Sequence, residues 1–382
     1  MMRITQDWIK VGATQAVCKM LDDAGYQALF VGGCVRNALL GASVGDIDIA
    51  TDALPDQVMK LADAAGLKPV PTGIDHGTIT VVSGHIPHEV TTFREDIETF
   101  GRHATVAFGG DIRADARRRD FTMNALYARS DGTILDPLGG LDDLNARRVR
   151  FIENPEQRIK EDYLRILRFF RFHAWYGDPN GGLDGEGLAA CAMNIDGLAD
   201  LSRERVGAEM LKLLGAPDPA PSVAAMRAAG VLMAVLPGAE DRALAPLVHL
   251  ESVTDTGPDA IRRLAALGGQ DVSERLRLSK AQARQLAHLQ DGALGTMGAS
   301  ELGYRHGVVE GHDMLLLRAA FLEQPLALGD ADALARGAKA RFPVKAADLM
   351  PDYTGPALGA RLAELEQRWI ASGFRLGRDD LV

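Results

Sequence analysis

The stretch Leu29-Phe-Val-Gly-Gly-Cys-Val-Arg-Asn-Ala-Leu-Leu-Gly, followed shortly by Gly45-Asp-Ile-Asp-Ile-Ala, leaves this chain few folds to adopt. An apolar run reads as a strand entering a Gly32-Gly33 turn, and the pattern predicts a helix beginning near Val35. Two glycines there let the backbone bend and keep side chains away from its N–H groups. Such a turn can seat a phosphate, although an ordinary turn has the same sequence. Arg36 adds a fork-shaped cation in the first helical turn. In Asp46-Ile-Asp-Ile the side chains alternate, so Ile47 and Ile49 face a core while Asp46 and Asp48 share the other face. Paired carboxylates repel. A bound divalent cation with oxygen ligands, typically Mg²⁺, relieves them, and so does solvation on an exposed edge strand. The glycine turn and Arg36 just upstream favour the cation.

Around this motif, residues up to 135 alternate short β-like runs (28–31, 46–50, 78–83 and 89–93) with Gly, Pro and Asp punctuation, which predicts an α/β or α+β head. From about residue 155 the apolar residues recur at helical spacing, so the remainder reads all-α and the change of class falls at 136–155. A length of 382 residues fits two or three domains. Lys+Arg 42 against Asp+Glu 52 gives a net charge of −10, so any nucleic-acid contact must come from a local basic patch. Three scattered cysteines exclude a disulfide framework and point to a reducing compartment. With no apolar leader and no long apolar run, the chain reads as cytoplasmic, with no membrane association and no protein partner inferable.

Three further blocks carry chemistry. In His88-Glu-Val-Thr-Thr-Phe-Arg, Glu89 would complete a trio of carboxylates if its strand lay beside Asp46, and would otherwise be a surface ion-pair partner. Arg117-Arg-Arg-Asp-Phe-Thr-Met-Asn packs three guanidinium groups that could neutralise a triphosphate or simply face solvent. Asp120 and Asn124, four apart, could cap or orient that segment. In Glu161-Asp-Tyr-Leu-Arg-Ile-Leu-Arg-Phe-Phe-Arg-Phe, Leu164, Leu167 and Phe170 form an apolar stripe, while Asp162, Arg165, Arg168 and Arg171 step along another side. Asp162 and Arg165 could form an intrahelical salt bridge, or could read the edge of a base from a cleft.

In this order the blocks resemble the class II tRNA nucleotidyltransferase and bacterial poly(A) polymerase family, members of the DNA polymerase β-like nucleotidyltransferase superfamily. The likeness covers about residues 25–210. It implies an α/β polymerase-β-like nucleotidyltransferase head over 1–135, an all-α neck over 136–240 with the nucleotide-reading helix, and a helical body and tail over 241–382 that bind tRNA. By resemblance Asp46 and Asp48 hold Mg²⁺ with Glu89 assisting, and Gly32, Gly33, Arg36, Arg118, Arg119, Asp120 and Asn124 bind the nucleotide's ribose and phosphates. Asp162 and Arg165 would hydrogen-bond the incoming base in place of a nucleic-acid template, with Arg168 and Arg171 lining the same pocket. Asp136-Pro-Leu-Gly-Gly-Leu-Asp-Asp-Leu matches a hinge between head and neck, and Leu201-Ser-Arg-Glu-Arg-Val-Gly-Ala-Glu matches a helix that braces the neck.

The resemblance implies template-independent addition of C, C and A to the 3′ end of tRNA from CTP and ATP. The alternatives are a poly(A) polymerase and partial CC-adding or A-adding enzymes. CC-adding relatives have a shortened loop after the third-carboxylate strand, whereas here residues 95–104 are present and are expected as a mobile loop. Phe100-Gly101 stands where the family carries Tyr-x-Asp. His312-Asp313 lacks the companions of a metal-dependent phosphohydrolase and is expected at the surface.

Overall fold

The computed structural model describes residues 2–100, 103–109 and 111–382, which divide into two compact units. The first comprises Met1–Leu213 and Pro221–Val235, and the second Leu214–Ala220 and Leu236–Val382. The expected class boundary at 136–155 therefore lies inside the first unit.

A seven-stranded sheet forms the head of the first unit, in the order β3-β4-β5-β2-β1-β8-β9. Its strands are β1 (Leu29–Val31), β2 (Ile47–Thr51), β3 (Lys68–Gly73), β4 (Thr78–Ser83), β5 (Ile86–Thr92), β8 (Tyr127–Arg129) and β9 (Ile134–Leu135). The β2–β5 pair is parallel, and the other neighbours run antiparallel. Helices Gly12–Asp23 and Pro55–Ala64 pack against β3 to β5. Phe30, Ile49, Ile79, Val81 and Val90 are fully buried, so the alternation expected of Asp46-Ile-Asp-Ile holds, with Ile49 inward and Asp48 half-buried on the other face. The buried His88 ring is held between Thr14 Oγ1 (3.1 Å) and the Val81 carbonyl (3.3 Å).

Two segments differ from expectation. Lys68-Pro-Val-Pro-Thr-Gly gave no strand signal, yet it forms β3, tolerated because an edge strand can lack ladder donors at its prolines. Within the segment expected as a loop, 95–104, residues 95–100 and 103–104 fall instead in a hairpin of β6 (Arg94–Phe100) and β7 (His103–Phe108), whose register runs from Arg94↔Phe108 to Phe100↔His103. Gly101 and Arg102 lie outside the described residues.

Two devices fasten the helices of this unit to the sheet. Phe121, from the arginine-rich block, packs with tilted rings 4.9 Å from Phe151 and 4.9 Å from Phe172 of helix Leu164–Tyr176, while Phe151 stacks 5.4 Å from Phe169. The second is the segment expected as a hinge. Asp136 caps helix Gly140–Asn145 by accepting from the Gly140 and Leu141 N–H groups, and the fully buried Asp143 accepts from Thr122 Oγ1, Arg148 and Arg150. Gly140 packs so closely that a Cβ there would stand 2.2 Å from the Thr122 carbonyl oxygen.

The second unit is helical among the described residues, including Leu244–Val253, Ala260–Leu267, Lys280–Leu294, Ala299–Phe321, Asp330–Lys339 and Gly355–Ala371. One core gathers Leu349, Leu365, Trp369 and Leu381, with Tyr304, Phe342 and Phe374 around the Trp369 ring. Asp313 corrects the expectation of a surface His312-Asp313 pair. It is buried and accepts from Arg262 Nη1 at 2.7 Å, and Arg262 also donates to the buried Glu251. Among the described residues no helix is long and apolar enough to cross a membrane.

Gly140→Ala should cost about 1–3 kcal/mol, because the backbone oxygen it would strike cannot swing aside as a side chain can. Chemical unfolding measures this, and a variant as stable as the parent would show that the junction yields.

Candidate active site

Antiparallel pairing sets the end of β1 beside the start of β2, with Phe30 opposite Ile49, so the Gly32-Gly33 turn and the Asp46–Asp48 pair meet at one end of the sheet. Val31 pairs with Tyr127 on the other side, which brings the arginine-rich block, just upstream of β8, to the same end. Gly32 adopts φ 70° and ψ −119°, a conformation that favours glycine, and helix Gly33–Leu39 starts two residues earlier than expected. These residues line a cavity of about 620 Å³ to which Asp162, Arg165, Arg168 and Arg171 also contribute. Gly32, Gly33, Arg36, Arg118, Arg119, Asp120 and Asn124 line it too, as do Phe172 and Arg205.

The carboxylates are arranged much as the alternation predicts. Parallel pairing places Asp48 directly across from Glu89, and Asp46 is exposed just before β2. Burial first, then the Glu89 and Asp46 charges, push the Asp48 carboxyl up to about 6, with Arg119 opposing them. Asp46 and Asp48 line the cavity, while the exposed Glu89 stands beside them outside its lining. Among the described residues no group of three His, Cys, Asp or Glu side chains could hold an ion by itself. The donor set is therefore a hard-oxygen pair whose charge Arg119 offsets only in part. That suits a divalent cation whose remaining ligands are water and substrate phosphate oxygens.

The arginines are less free than their sequence implies. Arg36 is buried and donates to Asn124 Oδ1 (2.5 Å), to Asn37 Oδ1 (2.8 Å) and to the Tyr176 hydroxyl (2.8 Å), with its guanidinium 4.0 Å from the Tyr176 ring centroid. Burial lowers its proton affinity, against the opposing effects of Tyr176 and Asp120. Arg36 lines the cavity and also works as a strut, with four of its five N–H groups engaged by protein partners. Arg117 turns away to the exposed Glu153. Arg118 and Arg119 both reach Asp115, which sequence reading passed over although it lies three and four residues before them, the spacing at which helical side chains meet.

Asp120 and Asn124 orient their segment as expected. Asn124 Nδ2 donates to Asp120 Oδ1 (2.9 Å), which also accepts from the Phe121 N–H (2.9 Å). Asp120 Oδ2 accepts from Arg168 Nε (2.7 Å) and Nη2 (2.5 Å). Burial alone would raise the Asp120 carboxyl, but Arg168 and these hydrogen bonds bring it down to about 2.

Neither Asp162 nor Arg165 pairs with the other. Asp162 sits in the break between helices Pro155–Glu161 and Leu164–Tyr176, where its Oδ1 accepts from the Leu164 N–H and its Oδ2 from Arg205 (2.7 Å). Arg165 donates to Glu161 (2.6 Å) and to the Arg158 and Arg118 carbonyls. The intrahelical salt bridge is thereby excluded, and both side chains are presented to the cavity by partners outside the pair. Arg171 donates to the buried Glu209 (2.6 Å). Arg36, Arg168 and Arg171 ring Phe172, each guanidinium 4.6 to 5.1 Å from its centroid. Arg205 and Glu209 lie in the block resembling a bracing helix, and charge alternation there was their one sequence signal.

The Asp120–Arg168 pair stabilises the fold fully above the ordinary carboxylate range, and that contribution is lost as pH falls through about 2. Asp120→Asn should therefore cost about 3–5 kcal/mol at pH 7, with the gap to the parent closing toward pH 2.5. Guanidinium unfolding at both pH values checks this, and a gap independent of pH would contradict the pairing.

Residues 28–150 match the poly A polymerase head domain model, and residues 183–242 match the model described as a probable RNA and SrmB-binding site of polymerase A. The chain is 33% identical over 390 residues to the CCA-adding enzyme of Lacticaseibacillus paracasei, covering 94% of this chain and 92% of that protein. It is 44% identical over 190 residues to the human mitochondrial CCA tRNA nucleotidyltransferase 1, a match that spans 50% of this chain but only 44% of the human protein's length. The crystal structure of the Bacillus stearothermophilus CCA-adding enzyme in complex with CTP superposes with a TM-score of 0.72 at 26% identity, over 94% of this chain and 92% of that one.

Proposed function

The chain belongs to the CCA-adding tRNA nucleotidyltransferase family, and from that footing we propose that it adds C, C and A to the 3′ end of tRNA without a nucleic-acid template, using CTP and ATP with Mg²⁺ in the cytoplasm. One observation carries the reading. A single cavity is lined by the Asp46–Asp48 pair, the glycine turn, Asp162, Arg165 and the arginines Arg118, Arg119 and Arg168. Phosphates and base edge would thus be held within one nucleotide-sized space.

In this reading residues 1–135 form the catalytic head, 136–240 the nucleotide-reading neck, and 241–382 a body and tail that hold tRNA. Asp46 and Asp48 would hold Mg²⁺, with Glu89 shaping the charge at Asp48. When bound, the metal stabilises charge at the transferring phosphate and favours the 3′-hydroxyl as nucleophile. The Gly32-Gly33 turn leaves room for phosphate oxygens, and Arg118 and Arg119 supply the cations beside them. Asp162 accepts from an exocyclic amine and Arg165 donates to a ring acceptor, the pairing that a cytosine edge offers. Arg168 and Arg171, stacked on Phe172, close the pocket wall, and Asp120, Asn124 and Arg36 keep these groups in register. Protein groups, rather than RNA bases, then choose the nucleotide, and tRNA is gripped by shape and phosphate.

The test is a tRNA ending before CCA, offered CTP and ATP singly and together beside a generic oligonucleotide. Two C additions with CTP alone, and a finished CCA with both, are expected on the tRNA only. Asp48→Asn should slow addition by at least about a hundredfold, since removing a metal ligand costs several kcal/mol of transition-state stabilisation. Long A tracts on any RNA would assign a poly(A) polymerase instead, and a product halting at CC would assign the partial enzyme.

A further inference from the structure

We propose that Asp115, a residue outside the set that touches nucleotide or metal, is the positioning residue for the triphosphate: it fixes Arg118 and Arg119 in the arrangement the phosphates meet. The inference rests on the nucleotidyltransferase reading above and deepens it.

Asp115 lies on helix Ile112–Arg117 and is 1% exposed. Its Oδ1 accepts from Arg118 Nε at 3.0 Å. Its Oδ2 accepts from Arg119 Nη2 at 2.9 Å, from Arg119 Nε at 3.3 Å and from the Tyr127 hydroxyl at 2.7 Å. Tyr127 belongs to β8, so the carboxylate is tied to the sheet as well as to its own helix. The Tyr127 hydroxyl also accepts from Arg119 Nε, closing a three-residue ring of hydrogen bonds.

A buried anion beneath a seat for a polyanion runs against simple charge matching. It removes part of the attraction two arginines would supply, and a buried ion pair is no more stabilising than well-packed apolar residues in its place. What it provides is geometry. Two adjacent guanidinium groups repel, and each would otherwise sweep many rotamers; held by one carboxylate, they keep a fixed separation and bearing. Arg118 uses only Nε on Asp115, which leaves its terminal nitrogens for the cavity that both arginines line. Arg119 Nη1 ends 3.4 Å from where a Cβ on Gly32 would stand, so the position of that nitrogen is referred directly to the glycine turn. The arrangement is that of a preorganised pair of anion contacts mounted on a buried support.

The experiment measures CTP addition by the parent and by Asp115→Asn, with inorganic tripolyphosphate and cytidine as separate competitive inhibitors. Asp115→Asn should raise both the KM for CTP and the inhibition constant of tripolyphosphate at least about tenfold, with kcat within about threefold of the parent. Cytidine inhibition and the KM for tRNA should stay unchanged, which a general loosening of the fold would not allow. Equal losses for cytidine and tripolyphosphate, or no loss, overturn the proposal. A parent that adds no nucleotide and is not inhibited by tripolyphosphate overturns the underlying reading together with it. If Asp115→Asn does not fold, Tyr127→Phe decides, since it removes one donor to the carboxylate and leaves both ion pairs. A selective severalfold weakening of tripolyphosphate inhibition supports the proposal, and an unchanged constant refutes it.

Discussion

The candidate site depends on one buried carboxylate that faces two ways. Asp120 receives Asn124 and its own following N–H on one oxygen and the Arg168 guanidinium on the other. Through Asn124 the chain of hydrogen bonds continues to Arg36, beside the glycine turn, and then to Tyr176 at the end of the long helix. The sheet end that would hold phosphates and the helix that would read a base are therefore joined by polar contacts with little freedom to slip. Such a network earns its place only when fully satisfied, because a severed partner inside it leaves a buried charge exposed to low dielectric.

The same design recurs around the cavity. Arg118 and Arg119 rest on Asp115, Arg171 on Glu209, Arg165 on Glu161, and Arg205 on Asp162. Against a chain of net charge −10, the cavity concentrates seven arginines and four aspartates in its lining. Local charge of that kind attracts a nucleoside triphosphate, and the carboxylates fix where each cation points. Asp48 stands apart, since burial first and then the Glu89 and Asp46 charges raise it to about 6, with Arg119 offsetting them only in part.

Much of this was legible from residue order. The alternation in Asp46-Ile-Asp-Ile fixed which side chains are buried, and two glycines after an apolar run fixed the turn, because both depend on neighbours along the chain. What escaped depends on partners far away in sequence. Nothing near Arg36 in the sequence shows that Asn124 and Tyr176, the latter 140 residues on, take up its donors. Asp162 and Arg165 look like an intrahelical pair until a helix break separates them and Arg205 and Glu161 claim one each. β3, with two prolines, is stable only because it borders the sheet. His312-Asp313 had no local sign of the Arg262 that buries its carboxylate.

The central claim is that protein side chains in this cavity choose the nucleotide. Competition binding of CTP and UTP to the parent, to Asp162→Ala and to Arg165→Ala tests it most directly. The parent should prefer CTP by at least about tenfold, and each variant should lose most of that preference while retaining its affinity for tRNA, since a bidentate base contact is worth about 1–3 kcal/mol of discrimination. Variants that still reject UTP as strongly as the parent would contradict it and return Asp162 and Arg165 to a purely structural role.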